Sequence, residues 1–340
     1  MLSSTTDPLV EAYDLAMLDL DGVVYVGPEA VPGAAENLAR AREAGMRCAF
    51  VTNNASRPPQ AVVDHLRELD VAAELEDVVT SAQAAASVLV REHGEGAHVL
   101  VLGGEGLWTA VREAGLEAHE VDSDLRLDQD EQPAALVTGY GPDVLWRQVM
   151  RAAVLVRGGL PWVASNTDMT IPTAYGVAPG HGVLVDTLRR FSEVEPTVAG
   201  KPERPLLDET VERVGGRRPL MVGDRIDTDI EGGINAGVDT LLVMTGVTGP
   251  AELVGAASGT RPTYVAADLS GLLEAQPEVE RDGDGWTCGG WTGSVGDGRL
   301  TVEGDGSASD WWRTVAATGW AWLDEHGEPA DASGLDAPRG

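Results

Sequence analysis

Short apolar runs that end in polar residues recur along this 340-residue chain, and they alternate with stretches of helical character. The clearest runs are residues 15–18, 46–51, 219–222 and 240–243. Each run is too short for a core helix and is typical of a buried strand. Pro32 precedes a predicted helix at 34–44, and Pro202 opens another at 203–214. Strands that alternate with helices predict an α/β fold with a Rossmann-like, doubly wound parallel sheet.

The first apolar run delivers two acids to its carboxyl end. Asp19 and Asp21 are separated by one residue and are followed by Gly22, whose backbone freedom permits a tight turn. Side chains two residues apart in a strand point to the same side, so both carboxylates can share one centre with a cation or a proton. Calcium loops and solvated turns also use Asp-x-Asp, and both interpretations stay open for this stretch alone. An EF-hand loop is excluded because Ala30 stands where its twelfth-position Glu would be.

Small polar groups follow the second run, and a single lysine stands later in the chain. Thr52, Asn53 and Asn54 offer a hydroxyl and amides that can cradle phosphate oxygens without adding charge. A strand-end Thr-Asn is also typical of a helix cap. Lys201 is the only lysine among 24 basic residues and stands just before a predicted helix. Its compact ammonium can neutralise a phosphate oxygen and a carboxylate together, and a surface lysine at a helix start is the alternative.

More acids follow the run at 219–222. Asp224 comes directly after Gly223, and Asp229 stands near the start of the next helix. Because the carboxyl ends of parallel strands meet at one edge of a sheet, we expect these acids near Asp19. Mg²⁺ prefers one or two carboxylates together with phosphate oxygens and waters, so the pattern predicts a Mg²⁺ site. A simple helix N-cap is the alternative for Gly-Asp.

The four polar stretches, in this order, resemble the four motifs of the haloacid dehalogenase superfamily. Gly-Asp-Arg-x-x-Thr-Asp at 223–229 is similar to the fourth motif of its phosphoglycolate and p-nitrophenyl phosphatase branch, and the resemblance covers residues 14–274. It implies that Asp19 attacks phosphorus to form an aspartyl-phosphate, while Asp21 protonates the leaving alcohol and then activates water. The implied Mg²⁺ ligands are Asp19, the backbone carbonyl of Asp21 and Asp224, with Asp229 either as a further ligand or as a residue that orients the ligands. The implied phosphoryl ligands are Thr52, Asn53, Asn54 and Lys201.

The same resemblance implies an inserted α/β cap of the C2 type. On this reading the core takes residues 1–81 and 196–274, the cap 82–195, and a small tryptophan-rich extension 275–340. The stretch 164–172 resembles the substrate-specificity loop of such caps, with Asn166 and Asp168 as substrate ligands. A plain polar loop is the alternative. His181, between two glycines and without a carboxylate nearby in sequence, is expected at the surface and outside the chemistry.

The acid at position 21 favours hydrolysis of a phosphate ester, because superfamily members that act on carbon–halogen bonds or phosphonates lack it. Residues 166–171 offer hydrogen bonds but no cation, which favours a polyol phosphate over a carboxylate-bearing one. We therefore expect glycerol 3-phosphate as the substrate, with phosphoglycolate and nucleoside monophosphates as alternatives. A hypothesis of another class is a binding or scaffold protein that acts through its C-terminal extension.

Six of the nine tryptophans lie in residues 275–340, among many Gly and Asp. We predict a strand at 299–303 and a helix at 310–323 that Ser309 caps. This helix has two apolar stripes, formed by Trp311, Val315, Thr318 and Trp322 and by Trp312, Ala316 and Leu323. It is therefore expected to pack against the main domain or a second subunit. Residues 328–340 are expected to be disordered.

Charge and composition limit the partners of the chain. The formal net charge of −31 argues against binding to nucleic acid or an anionic membrane, since both need clustered cations. No stretch approaches the roughly 20 apolar residues of a membrane span. Without a visible secretory signal the expected location is cytoplasmic, with Cys48 and Cys288 as free thiols. The expected partner is a small phosphate ester, and analogy with the family implies a homodimer.

Overall fold

The structure is a computed structural model that describes residues 2–121, 132–173 and 176–338. Its contacts divide the chain into a first unit (residues 1–50, 68–72 and 215–340) and a second unit (51–67 and 73–214). In the described residues the strands are β1 (Leu15–Leu18), β2 (Tyr25–Val26), β3 (Glu29–Ala30), β4 (Arg47–Thr52), β5 (Val78–Thr80), β6 (His98–Leu102), β7 (Glu117–Glu120), β8 (Ala135–Thr138), β9 (Trp162–Ala164), β10 (Thr170–Thr173), β11 (Gly176–Pro179), β12 (Thr197–Val198), β13 (Pro219–Gly223), β14 (Asp239–Val243), β15 (Tyr264–Ala266), β16 (Glu280–Asp282), β17 (Gly285–Cys288), β18 (Trp291–Gly296) and β19 (Arg299–Gly304). The α-helices over the same ranges are α1 (Leu9–Ala12), α2 (Ala34–Glu43), α3 (Pro59–Glu68), α4 (Ser81–His93), α5 (Glu105–Glu113), α6 (Trp146–Arg157), α7 (His181–Ser192), α8 (Pro205–Val214), α9 (Glu231–Ala236), α10 (Pro250–Val254) and α11 (Ala308–His326).

The first unit is built on parallel strands buried within its core. Five neighbouring strands of one sheet follow the order β15-β14-β13-β1-β4, and the pairings between them are parallel. Strand β1 is buried along its whole length, as expected for the centre of a sheet covered on both faces. Strands β13, β14 and β15 lie on one side of β1, and β4 lies on the other side. The order of the strands therefore reverses at β1. Open α/β sheets bind ligands at the carboxyl ends of the strands beside such a reversal.

The second unit has its own parallel sheet, with the order β12-β9-β8-β6-β7. Its apolar core joins strand residues such as Leu136 to Val156 of α6 and Leu188 of α7. An antiparallel hairpin, β10-β11, precedes α7. The predicted α/β class with parallel sheets flanked by helices is confirmed. No helix among the described residues is long and apolar enough to cross a membrane.

Residues 280–326 of the first unit form an antiparallel sheet and one long helix. The sheet follows the order β16-β17-β18-β19, and α11 packs against it and against β15 and α10. One core cluster contains Trp311 and Trp320 of α11 together with Leu253 and Val265. The extension therefore shares a core with the parallel sheet of its own unit, which is the first of the two arrangements that the sequence allowed.

The structure corrects the start of this helix. Ser307, not Ser309, is the N-cap, and its hydroxyl oxygen accepts from the N–H of Asp310 at 3.1 Å. Ser309 lies inside the helix, where its hydroxyl accepts from the N–H of Ala267 at 3.2 Å. Both serines lie a few residues before Trp311, the first residue of the apolar stripes, where an N-cap is expected. The sequence pattern therefore did not distinguish which serine caps the helix.

The residues after α11 also differ from the expected disorder. Ala330 and Ala332 are buried. Asp331 donates its N–H to Gly298 O at 2.8 Å and accepts from the N–H of Leu300 at 3.0 Å. The segment is thus held along the start of β19, and residues 339 and 340 lie outside the described part of the chain.

The two units divide the chain differently from the predicted four-part partition. Residues 196–214, expected in the core, group with the second unit because β12 pairs with β9 and α8 packs on α4. Residues 275–340 group with the first unit. The partition into core, cap and extension remains a prediction.

Candidate active site

Three carboxylates converge at the carboxyl ends of β1 and β13. Asp19 follows β1, Asp224 follows β13, and the parallel pairing of Leu18 with Val222 places these two strand ends side by side. Asp229 comes from a short π-helical turn at 226–230. One oxygen from each carboxylate lies within 4.8 Å of the others. Like charges this close favour a bound cation or a shared proton, and we call Asp19, Asp224 and Asp229 the carboxylate cluster.

Three glycines let the backbone close directly on this cluster. A Cβ added to Gly22 would lie 2.6 Å from Asp224 Cγ, and one added to Gly246 would lie 2.8 Å from Asp224 Cβ. A Cβ on Gly223 would come closer than 3.0 Å to the Asp229 carboxylate, a separation that real Cβ atoms essentially never show. Gly22 also has a φ of +85°, which favours glycine. A single methyl group would therefore fill the cradle around the carboxylates.

Backbone donors orient the two buried acids. Val247 donates its N–H to Asp224 Oδ2 at 2.6 Å, and Arg225 donates its N–H to Asp229 Oδ2 at 3.1 Å. Both acids are fully buried, and an N–H that donates to a carboxylate favours its charged form. Hard oxygen donors in a small, preformed cradle are the ligands that Mg²⁺ prefers. The residues present therefore fit the ion that the sequence predicts.

Asp21 is not one of the three grouped carboxylates. It is exposed, and its backbone forms an isolated bridge with Tyr25. Its predicted metal contact uses the backbone carbonyl, and its predicted proton transfer uses the carboxylate. Both assignments remain predictions, and the exposure of the carboxylate is compatible with proton exchange with solvent.

In the second unit, Asn53 is the centre of a buried hydrogen-bond network. Its Oδ1 accepts from the N–H of Lys201 at 2.8 Å, and its Nδ2 donates to Lys201 O at 2.9 Å and to Asp168 Oδ1 at 3.0 Å. Its backbone carbonyl accepts from Asn166 Nδ2 and from Ser81 Oγ, both at 2.6 Å. The structure thus brings together four of the sequence-predicted residues, and it uses the Asn53 side chain to hold the Lys201 backbone.

The other predicted phosphoryl ligands lie near this network along the chain. Lys201 is 2 % exposed, and its Nζ donates to Val51 O at 3.4 Å. Thr52 Oγ1 accepts from the N–H of Asn54 at 3.1 Å, and Asn54 Oδ1 accepts from the N–H of Ser56 at 3.0 Å. These are turn bonds ahead of α3, related to the capping alternative that the sequence left open. Contact of these residues with phosphate remains a prediction.

His181 is buried, so the expectation of a surface residue is wrong. It is 3 % exposed, and its Nδ1–H donates to Asn166 O at 2.8 Å. Burial lowers the pKa of the imidazole to about 4, which keeps the ring neutral at physiological pH. The glycine at position 182 explains the burial, because its Cβ position lies 2.7 Å from the backbone carbon of Thr167. The helix start is therefore seated against residues 166–168.

Sequence reasoning did not single out Ser81, Gly246 or Val247. Gly246 had a usable signal, since a glycine soon after an apolar strand often marks a close approach of backbone. Val247 acts through its backbone N–H, which every residue except proline carries, so its identity contains no signal. Ser81 is the first residue of α4, and only the fold brings its hydroxyl to the Asn53 carbonyl.

Two segments of the chain match known families. Residues 16–117 match the family described as haloacid dehalogenase-like hydrolase, and residues 198–272 match one described as HAD-hydrolase-like. Together these segments contain the carboxylate cluster, Thr52, Asn53 and Lys201.

Relatives extend the similarity over most of the chain. D-glycerol 3-phosphate phosphatase of Mycobacterium tuberculosis is 40% identical over 308 residues, which cover 89% of this chain and 82% of that protein. An acid sugar phosphatase of Staphylococcus aureus is 35% identical over 274 residues, covering 80% of this chain and 100% of that protein. The crystal structure of a glycerol phosphate phosphatase from Mycobacterium tuberculosis in complex with magnesium aligns with a TM-score of 0.81 at 38% identity, over 93% of each chain. The resemblance inferred from the four motifs is confirmed, and the chain belongs to the haloacid dehalogenase-like hydrolase family.

Proposed function

We propose that this chain is a Mg²⁺-dependent phosphatase that hydrolyses a small phosphate monoester, with glycerol 3-phosphate as its substrate. The observation that carries the proposal is the carboxylate cluster of Asp19, Asp224 and Asp229 at the carboxyl end of β1. The activities named for the two relatives, and the magnesium in the related crystal structure, support it.

Asp19 is the proposed nucleophile. Its carboxylate oxygen attacks phosphorus, the bond from phosphorus to the alcohol oxygen breaks, and an aspartyl-phosphate forms. Asp21 gives its proton to the departing alcohol oxygen. It then takes a proton from water, whose oxygen attacks phosphorus and releases inorganic phosphate and the Asp19 carboxylate.

The proposed ligands of Mg²⁺ are the three carboxylates of the cluster and the backbone carbonyl of Asp21. When bound, the ion offsets negative charge on the phosphoryl group and on the attacking carboxylate. The glycine cradle and the two backbone N–H donors hold Asp224 and Asp229 in place before the ion arrives. Such preorganisation reduces the cost of assembling the site.

Thr52, Asn53, Asn54 and Lys201 are the proposed ligands of the transferring phosphoryl group. A buried ammonium is a fixed positive charge, which is what an anionic substrate needs in a chain of net charge −31. Asn166 and Asp168 are proposed to contact the organic part of the ester, within the cap at 82–195. Residues 166–171 contain no cation, which favours glycerol 3-phosphate over phosphoglycolate, while nucleoside monophosphates are the other alternative.

Phosphate release tests this proposal. Wild-type protein is assayed with and without Mg²⁺ on glycerol 3-phosphate, phosphoglycolate and several nucleoside monophosphates, beside Asp19→Asn. Asp227→Asn is the matched control, because it changes an exposed acid of the same motif outside the cluster. We expect Mg²⁺-dependent release from one preferred ester, loss of turnover in Asp19→Asn, and turnover retained in the control. If no ester is hydrolysed by either wild type or Asp19→Asn, the scaffold hypothesis replaces the phosphatase.

We also propose a homodimer located in the cytoplasm. Trp146, Met150 and Val154 follow each other at one-turn spacing on α6 and are each more than half exposed, an apolar stripe suited to a second copy. Sedimentation velocity of wild type and Trp146→Glu tests the dimer. The dimer predicts a smaller particle for the variant, whereas a monomeric wild type contradicts the proposal.

The proposed location in the cytoplasm is supported by the cysteines. Cys48 and Cys288 are both free, which fits a reducing compartment.

A further inference from the structure

The loop that holds Asp224 lies between a strand and a very short helix. Residues 244–249, the Asp224 loop, connect β14 to α10. Within it, Val247 and Thr248 donate their N–H groups to Oδ2 and to the backbone carbonyl of Asp224, at 2.6 and 3.1 Å. Thr245 donates its hydroxyl to Gly22 O at 2.5 Å. A displacement of the loop therefore displaces a carboxylate of the cluster.

Strand β14 fixes one end of the Asp224 loop within the sheet, and α10 fixes the other. A helix of five residues has too few hydrogen bonds to be stable by itself, so its position depends on tertiary packing. Its buried side chains are Leu253 and Val254. Both belong to the core cluster that contains Trp312 and Trp320 of the C-terminal extension. The anchor of α10 is thus supplied by residues outside the family motifs.

Helix α11 contacts α10 through a hydrogen bond and a close backbone approach. Trp320 donates its indole N–H to Leu253 O at 2.7 Å. The Leu253 carbonyl also accepts from the N–H of Ala256 at 3.3 Å, so the indole adds a second and shorter hydrogen bond at the end of α10. Gly319 lies against Val254, and a Cβ added there would be 2.6 Å from Val254 Cβ. The absence of a side chain at Gly319 lets the two helices meet.

An arginine whose side chain is 7% exposed holds the segment just after α10 to the same helix. Arg261 donates Nε–H to Ala256 O at 3.0 Å, and its two terminal nitrogens donate to Asp324 at 2.8 and 2.7 Å. Its guanidinium carbon lies 5.1 Å from the centre of the Trp320 ring. Paired Arg–carboxylate bonds of this kind constrain geometry as well as adding stability.

The same core also reaches the element that carries Asp229. Ile230 follows Asp229 directly, is fully buried, and belongs to the core cluster with Val315 and Trp320. Ile226, at the start of the same π-helical turn, packs against that cluster. Asp229 therefore sits on an element that shares a core with the extension, and Asp224 is hydrogen-bonded to a loop that ends at such an element, α10.

We propose that the C-terminal extension positions the carboxylate cluster, with Trp320 and Gly319 as positioning residues that act through α10 and the Asp224 loop on metal binding. This inference rests on the Mg²⁺ site of the proposed function and assigns a role to residues that do not themselves touch the ion or the ester. The competing explanation is that the extension only adds stability. The two explanations differ in what they predict for metal affinity measured without substrate.

Isothermal titration of Mg²⁺ into the full-length protein, without substrate, is the deciding measurement. In Trp320→Phe, which removes one N–H donor and keeps a smaller aromatic ring, we expect the Mg²⁺ Kd to rise by about threefold to tenfold, the worth of one buried hydrogen bond. In Gly319→Ala, which pushes α10 away, we expect a rise of about tenfold or more, as for other mutations that disturb the support of metal ligands. The KM for glycerol 3-phosphate at saturating Mg²⁺ should stay at the wild-type value.

Trp322→Phe is the matched control, because Trp322 lies on the same helix, packs against the same core cluster and stacks on His326, whereas the hydrogen bond to Leu253 of α10 comes from Trp320. It should bind Mg²⁺ as wild type does. Thermal unfolding is recorded for all three variants. If Trp320→Phe and Gly319→Ala unfold at a lower temperature yet bind Mg²⁺ with wild-type affinity, the role is only structural and the inference is overturned.

Two further outcomes are separable. If Gly319→Ala does not fold, Trp320→Phe still decides, because a Trp-to-Phe change keeps most of the buried aromatic volume. If wild type itself binds no Mg²⁺, the proposed function fails and this inference fails with it. If wild type binds Mg²⁺ and hydrolyses an ester while the variants match it, only the inference fails.

Discussion

A methyl group at position 246 is expected to disable the metal site without disturbing the backbone. Gly246 does not have a positive φ, so alanine is compatible with its backbone conformation. The effect of Gly246→Ala is instead steric, because the new Cβ would lie 2.8 Å from Asp224 Cβ and closer still to its carboxylate. Asp224 is fully buried and held by the N–H of Val247 at 2.6 Å, so it has little room to move aside.

The size of the effect follows from the geometry of Mg²⁺. Ordinary van der Waals separation from the new methyl group requires the carboxylate to withdraw by roughly 1 Å, and misplacement of that size in a site can cost about a hundredfold. Mg²⁺ demands near-ideal octahedral geometry at about 2.0–2.1 Å, so such a shift is about half of a bond length. We therefore expect the Mg²⁺ affinity to fall by about 10- to 100-fold, the range for lost support of a metal ligand.

The assay pairs calorimetric titration of Mg²⁺ with the Mg²⁺ dependence of phosphate release from glycerol 3-phosphate. Gly259→Ala is the control, because a Cβ at that position would meet nothing within 4 Å. The control should match wild type in both measurements. A Gly246→Ala protein that binds Mg²⁺ as tightly as Gly259→Ala would refute the assignment of Asp224 as a ligand held in a closed cradle.

Four further expectations concern single residues of both units. Lys201→Met should reduce phosphate release by about 100-fold or more while Mg²⁺ affinity stays unchanged, since a fixed charge on the phosphoryl group is lost; a loss of less than about tenfold would contradict its role. Asn53→Ala should lower the free energy of unfolding in urea by about 2–3 kcal/mol, because the buried N–H of Lys201 and its neighbours lose their partner. Burial lowers the pKa of His181 to about 4 from 6.5, so the unfolded chain binds the extra proton between these values; stability should therefore fall as pH drops through that window, and less steeply in His181→Gln, as urea titrations at several pH values will show. Burial raises the pKa of the Cys288 thiol to about 12, so a colourimetric thiol reagent should react with it slowly in the native protein and quickly in urea.

Much of the site could be predicted from the sequence because its motifs are local. An apolar run followed within a few residues by Asp19 and Asp21, or by Gly223 and Asp224, indicates a buried strand with acidic side chains at its carboxyl end. Parallel strands meet at one edge, so the order of these motifs predicted that Asp19 would lie near Asp224. The solitary lysine likewise pointed to Lys201, which the structure buries.

The remaining features depend on contacts between residues far apart in the chain. His181 was expected at the surface, and only the packing of its ring against Asn166, to which it is hydrogen-bonded, buries it. Trp320 belongs to neither apolar stripe that the sequence predicted for this helix, and the docking of α11 buries it fully and brings its donor to Leu253. Val247 acts through a backbone N–H, which has no sequence signature. The sequence by itself determined the α/β elements, the family and the candidate chemistry, because those follow from local patterns of residues. Tertiary packing alone decided which groups hold the carboxylates in place, because strand order and helix docking bring distant residues together.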